Sequence, residues 1–161
     1  MTLVDTGTQQ DVWVLDADGR ELRPLVNGPG KDAFGRVSPD GRSLLFVSNE
    51  AGRAQLYITA FPHPAPHVQV STDGAIAGWW TPDGRRIVYV SDDWRTLWRV
   101  DIQSGSPTRV SAPVKIATLP PNVDYIDAMP DRQKFLALVP ERPGQGSITI
   151  VENWLAALNG K

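Results

Sequence analysis

Apolar residues in this chain come in short consecutive runs separated by polar, Gly- and Pro-bearing stretches. Leu44-Leu45-Phe46-Val47, Ile87-Val88-Tyr89-Val90 and Phe135-Leu136-Ala137-Leu138-Val139 are three such runs. Each is followed by a second segment with alternation: Gln55-Leu56-Tyr57-Ile58, Thr96-Leu97-Trp98-Arg99-Val100 and Ser147-Ile148-Thr149-Ile150-Val151. The runs are too short for helices, so they predict strands. Being apolar at consecutive positions, they predict strands covered on both faces. Asp11-Val12-Trp13-Val14-Leu15 repeats the alternating kind near the start. Only Asn153 to Leu158 reads as a helical turn, with Asn159-Gly160 as its stop.

A repeated turn precedes these runs. Ser38-Pro39-Asp40-Gly41-Arg42 introduces the first, and Thr81-Pro82-Asp83-Gly84-Arg85 the second, 43 residues later. A weaker copy, Met129-Pro130-Asp131-Arg132-Gln133, introduces the third after a further 48 residues and has lost its Gly to Arg132. Pro presets φ, Asp bonds its own backbone two residues on, and Gly takes a positive φ, so the motif closes a tight antiparallel hairpin. A period of roughly 40 to 50 residues built from short strands is the signature of propeller blades of four strands. The expected fold is all-β: a partial β-propeller of about three and a half four-stranded blades in one domain, 1–161. The blades fall at approximately 2–26 (partial), 31–70, 74–110 and 122–158 (partial). A closed ring usually takes about four to eight.

Composition narrows the partners. Sixteen Lys plus Arg stand against 18 Asp plus Glu, and no basic run exceeds Arg85-Arg86, so the electrostatic footprint of a nucleic-acid binder is missing. No stretch approaches 18 apolar residues, so no membrane insertion by this chain is expected. Met1-Thr2-Leu3-Val4-Asp5 has neither the basic start nor the apolar block of a secretory signal. The absence of Cys leaves the compartment open.

The Ser/Thr-Pro-Asp-Gly-Arg turn, the following strand ending in Val-Ser and strands of the Asp-Val-Trp-Val-Leu-Asp kind resemble the TolB-type, WD-repeat-like β-propeller of bacterial periplasmic proteins. More narrowly, Ser48 to Arg53, Tyr57-Ile58 with Phe61-Pro62, Val70 to Gly74 and Ile148 to Leu155 are similar to the carboxyl-terminal propeller blades of bacterial Ser/Thr protein kinases and transcriptional regulators. The resemblance implies a sensor or signalling module in a periplasmic or extracytoplasmic location, with a cytoplasmic one still open. Neither a kinase domain nor a membrane helix is present in the sequence.

Enzyme motifs fail. There is no Gly-x-Ser-x-Gly elbow. Gly28-Pro29-Gly30-Lys31 falls short of a phosphate loop, because Leu25 stands at the first Gly position and Asp32 at the hydroxyl position. His63 and His67, with Pro64-Ala65-Pro66 between them, lack an evident third ligand and suit an exposed loop between the third and fourth strands. No catalytic residue, cofactor or metal is therefore expected. Asp40, Asp83 and Asp131 recur as turn residues rather than as a convergent catalytic pair. Asp92-Asp93 suits either an Asx turn, the favoured reading, or contact with a cation or ligand.

The Trp residues say most about binding. Trp13 and Trp98 occupy equivalent strand positions and suggest packing between blades. Trp79-Trp80 must point to opposite sheet faces. Trp94 lies in a polar loop with little core to enter, and Trp and Arg are enriched at binding hot spots, so Trp94 and Arg95 are the preferred functional positions. In such propellers the loops entering each innermost strand share a face with the loops joining the second and third strands. Here that face would carry Asn49, Glu50, Arg53, Asp92, Asp93, Trp94, Arg95, Glu141 and Arg142, a mixture suited to a protein or peptide. The expected function is a non-enzymatic protein-interaction or ligand-sensing module of a larger protein. The alternative is the substrate-gating propeller portion of a peptidase or glycan-acting hydrolase. An open arc should expose apolar residues such as Leu136, Leu138 and Ile150, which points to a homodimer or to completion by other blades.

Overall fold

The structure is a computed structural model that describes residues 2–3, 10–103, 105, 108–129, 134–140 and 147–151. The strands at 2–3 and 147–151 are placed by their backbone pairing. Every element among the described residues is a strand. The first sheet orders β1 (Thr2–Leu3), β2 (Asp11–Leu15) and β3 (Leu22–Val26). The second orders β4 (Asp32–Val37), β5 (Ser43–Ser48), β6 (Gln55–Ala60) and β7 (Val68–Gln69). The third runs β8 (Ala77–Trp80), β9 (Arg86–Val90), β10 (Thr96–Gln103) and β11 (Arg109–Val110). The fourth is β13 (Tyr125–Ala128), β14 (Phe135–Val139) and β15 (Ser147–Val151). All pairings within these sheets are antiparallel, which makes an all-β partial propeller.

One strand lies between the expected third and fourth blades. β12 (Val114–Thr118) pairs with β10 from Thr96↔Thr118 to Arg99↔Val114, while β11 pairs with the far end of β10 at Ile102↔Val110. The outer edge of the long β10 is thus covered by two short strands. Val114-Lys115-Ile116-Ala117-Thr118 carries Lys between apolar residues and follows Pro113, a weak strand signal beside the repeated turns.

The consecutive apolar runs do what two-sided burial requires. From β5, Leu44 and Phe46 pack with Val12, Leu25 and Tyr57 between the first and second sheets. The intervening Leu45 and Val47 turn the other way, onto Trp80, Ile87, Tyr89 and Val100 of the third sheet. β9 repeats the division: Ile87 and Tyr89 face the second sheet, and Val88 and Val90 join Trp79, Phe135 and Ala137 between the third and fourth. Trp79 and Trp80, adjacent in β8, are both buried and enter different cores. Trp98 is only half-buried against the core between the second and third sheets, and Trp13 is half-buried as well. Among the described residues the deepest indoles are therefore in the innermost strand of the third sheet, not at the pair of equivalent positions.

Candidate functional site

The turns explain how the loop face is built. In Ser38–Arg42 the Asp40 carboxylate accepts the Ser38 hydroxyl (2.6 Å) and the Arg42 backbone N–H (3.1 Å), Gly41 N–H reaches Ser38 O (2.9 Å), and Gly41 has φ 71°. Thr81–Arg85 repeats this: Asp83 accepts the Thr81 hydroxyl and Arg85 N–H (3.0 Å), with Gly84 at φ 67°. Ser91-Asp92-Asp93-Trp94-Arg95, between β9 and β10, forms the same network. Asp93 accepts the Ser91 hydroxyl (2.6 Å) and Arg95 N–H (2.9 Å), and Trp94 N–H reaches Ser91 O (3.0 Å). In place of the glycine stands Trp94, at φ 58°. A bulky residue in the left-handed region is a genuine outlier. Hydrogen bonds from the Ser38, Thr81 and Ser91 hydroxyls hold the Asp40, Asp83 and Asp93 carboxyls below the usual carboxylate range. Asp93 is thus the turn aspartate of this loop.

Asp92 does something different. Arg53, from the loop between β5 and β6, donates Nε and Nη2 to its two carboxylate oxygens at 2.6 and 2.8 Å. That bidentate bond lowers the Asp92 pKa, with Arg53 as the main cause. The pair lies against Gly74, which has φ 90°; a Cβ there would overlap the Asp92 carboxylate and Arg53 Nε. Beneath it Gln55, buried at the start of β6, accepts the Ser71 hydroxyl and Gly74 N–H and donates to Thr72 O. Three loops from two sheets are therefore tied into one surface, with Asp73, Asp93 and Arg95 exposed on it.

The structure brings Arg53, Asp92, Asp93, Trp94 and Arg95 together, while Glu50, on the loop that also carries Arg53, takes a different partner. Glu50 Oε1 is 2.5 Å from His67 Nε2, and the His67 ring stands edge-on to Tyr57 and Phe46. Nearby Asn49 Oδ1 accepts Lys31 N–H at 2.7 Å. Trp94 finds more core than its polar neighbours suggest: it is half-buried against the cluster between the third and fourth sheets. A helical turn at 153–158, the turn residues Asp131 and Arg132, and Glu141 and Arg142 fall outside the described residues.

A second polar cluster, absent from the sequence reading, lies where the innermost strands converge. Asp127 of β13 accepts Trp79 Nε1 (2.6 Å), Arg36 Nη2 (3.3 Å) and the Tyr125 hydroxyl (3.3 Å). The Arg36 guanidinium sits 5.5 Å from the Trp79 ring centre, and Trp80 Nε1 donates to Arg36 O at 3.1 Å. Arg36, Trp79, Trp80, Asp127 and Met129 line a cavity of about 380 Å³. No local motif announces it, because its members come from three repeats. The usable signal was that each stands on an innermost strand just before a turn. Among the described residues no group of His, Asp or Glu has the arrangement of a metal site, and no helix is long and apolar enough to cross a membrane.

No family profile matches the chain. An uncharacterized protein of Agrobacterium fabrum (strain C58) is 30% identical over 86 residues, which are 52% of this chain and 29% of that protein. Among solved structures, TolB from Acinetobacter baumannii superposes with a TM-score of 0.70 at 20% identity over 94% of this chain and 37% of its own. The β-propeller domain of Cps50 (Swd1) from Myceliophteria thermophila gives 0.57 at 11% over 88% and 53%. The acylaminoacyl peptidase of Pyrococcus horikoshii gives 0.52 at 15% over 89% and 26%. The chain thus spans less than two thirds of each of these proteins, and what it shares with the solved structures is the fold of a β-propeller arc.

Proposed function

We propose that the chain is a non-enzymatic propeller module that binds a protein or peptide through the loop face of its second and third sheets. Arg53, Asp92, Asp93, Trp94 and Arg95 form the contact, and Glu50 flanks it. The module belongs to a larger sensor or signalling protein, outside the cytoplasm, and its arc is completed by a second copy or by other blades. The observation that carries this reading is Trp94 at φ 58°, where two otherwise equivalent turns use glycine. Strain of this kind persists where surrounding contacts over-determine it, and such residues cluster at binding sites. Beside it stand an exposed arginine and a fixed ion pair, a combination common at protein interfaces. The likeness to TolB and Swd1 propellers supports a module of this class.

The test is selection of peptides from a displayed library on the native chain. Trp94→Ala and Arg95→Ala should weaken the selected peptides at least about tenfold while the melting temperature changes little for Arg95→Ala. Peptides that bind both variants like the native chain would place the contact elsewhere. A second reading, the gating propeller portion of a hydrolase, draws on the likeness to acylaminoacyl peptidase. A hydrolase domain joined to these blades in the full protein, and peptides cleaved rather than bound, would favour it.

A further inference from the structure

Asn27 and Gly28 form an Asn-Gly pair in the connection from β3 to β4. An asparagine before glycine is open to attack on its side-chain amide by the next backbone nitrogen, because glycine has no Cβ to hold that nitrogen away. Asn27 is exposed, so water reaches it. The chain's other such pair, Asn159-Gly160, falls outside the described residues.

The pair stands at the joint between the first and second sheets, where the backbone is held at several points. Gly28 N–H donates to Asp32 Oδ2 at 3.3 Å, Lys31 N–H to Asn49 Oδ1, and Asp32 N–H to Gln10 O at 2.8 Å. Pro29 fixes one φ between them. Gly30 is buried so closely that a Cβ there would come within 2.7 Å of Glu50 N. The nitrogen that would have to attack Asn27 is thus bound to the carboxylate of Asp32, a residue only 1% exposed.

We propose that Asn27 is a site of self-modification whose rate Asp32 restrains. The Gly28 nitrogen gives up its proton and bonds to Cγ of Asn27, and the side-chain nitrogen leaves as ammonia with that proton. Water then opens the five-membered succinimide: attack at the side-chain carbonyl gives aspartate, and attack at the main-chain carbonyl gives isoaspartate. Removing the Gly28 proton beside a carboxylate is disfavoured, and the nitrogen cannot turn onto Cγ while its bond to Asp32 stands. The reaction therefore waits for local opening of the joint. Either product brings a new carboxylate to a place already flanked by acids, since Asp32 Oδ2 and Glu50 Oε2 each lie 3.8 Å from where Gly28 would carry a Cβ. Isoaspartate also lengthens the main chain by a methylene, so the change loosens the joint irreversibly. This site is independent of the contact proposed above.

The test keeps the full chain at mildly alkaline pH and counts asparagine, aspartate and isoaspartate at position 27 by mass spectrometry of separated digests. Position 27 should convert, and at least about tenfold more slowly in the native chain than in the same chain unfolded in guanidinium. Asp32→Ala should speed the native reaction about three- to tenfold, the effect of losing one hydrogen bond to a charged group. Gly28→Ala should stop it over the same period with little change in melting temperature, since the added Cβ meets only ordinary contacts at 3.8 Å. If Asp32→Ala folds poorly, amide exchange at Gly28 in the native chain decides, because it removes the same proton and should be slowed by the same factor as the conversion. No conversion at position 27 in the native chain, equal rates in native and unfolded chains, slower conversion in folded Asp32→Ala, or a freely exchanging Gly28 amide would each overturn the proposal.

Discussion

The third and fourth sheets carry the same kind of apolar run and treat it differently. In β9, Ile87, Val88, Tyr89 and Val90 are all at most 2% exposed, because the second sheet covers one face and the fourth covers the other. In β14, Phe135 and Ala137 are buried against the third sheet, yet Leu136 and Leu138 between them are 42% and 51% exposed. Tyr125, paired with Leu138, extends that open face, while β15 pairs along the other edge of β14 with Ile148 at Leu138 and Ile150 at Leu136. Tyr125 is itself 52% exposed. The pattern of residues is thus written for two neighbours, and among the described residues β14 meets one. An apolar run specifies double burial only where a second surface is present to supply it.

The largest expected effect separates the two cores from that open face. Trp79→Ala and Trp80→Ala should each lose roughly 3 to 5 kcal/mol of stability, the range for burying and then deleting a large side chain. Val88→Ala should lose less, about 1 to 3 kcal/mol, while Leu138→Ala should change stability by under about 1 kcal/mol. Chemical denaturation of the four variants measures this directly. A loss at Leu138 matching that at Val88 would mean that the open face is already covered in solution.

Which of these features the sequence announced follows from their range. The hairpin turns are local: Ser38 to Arg42 and Thr81 to Arg85 contain every group that closes them, so the repeat and the strands around it were legible. Opposed burial of Trp79 and Trp80 was legible too, since strand geometry alone dictates it. The Ser91–Arg95 turn was harder, because Trp94 in the glycine position hides its kinship with the other two. The ion pair of Arg53 with Asp92 and the cluster around Asp127 were not legible. Their partners are 39, 48 and 91 residues apart and meet only through the packing of separate sheets. The loop joining β5 and β6 carries Glu50 to the same face as Arg53, but the partner of its carboxylate, His67, is 17 residues away and no local pattern names it.

A middle-sized effect concerns what covers the fourth sheet. A second copy that completes a ring would bury Tyr125, Leu136 and Leu138, so light scattering should give the mass of two chains at micromolar concentration. Leu138→Glu should then return one chain with little change in its unfolding midpoint, since a charge is excluded from an apolar interface and tolerated on an open face. A single chain at every concentration, with or without the substitution, would exclude the second copy and leave other blades as the cover.

The smallest expected effect is a pH dependence, and it should be concentrated in the third sheet. Asp83 caps the turn before β9 and Asp93 the turn after it, and both pKa values are lowered by hydrogen bonds to the ionised form, chiefly from Thr81 and Ser91. Asp92, on the same loop as Asp93, is lowered by Arg53. A lowered folded pKa means that the unfolded chain takes up protons first. The stabilisation is therefore present above the ordinary carboxylate pKa and is lost as pH falls through the folded values. Asp32 of β4 works in the opposite sense. Desolvation by burial raises its pKa, so its contribution is greatest at acid pH and is lost as pH rises through its folded value. The net expectation is a melting temperature that declines from about pH 6 to about pH 3, with amide exchange increasing earlier in β9 and β10 than in β5. Asp83→Asn should flatten part of that decline, and Asp32→Asn should steepen it by removing a contribution that opposes it. A decline identical in the native chain and in both variants would show that the turn carboxylates of the third sheet do not set its response to acid.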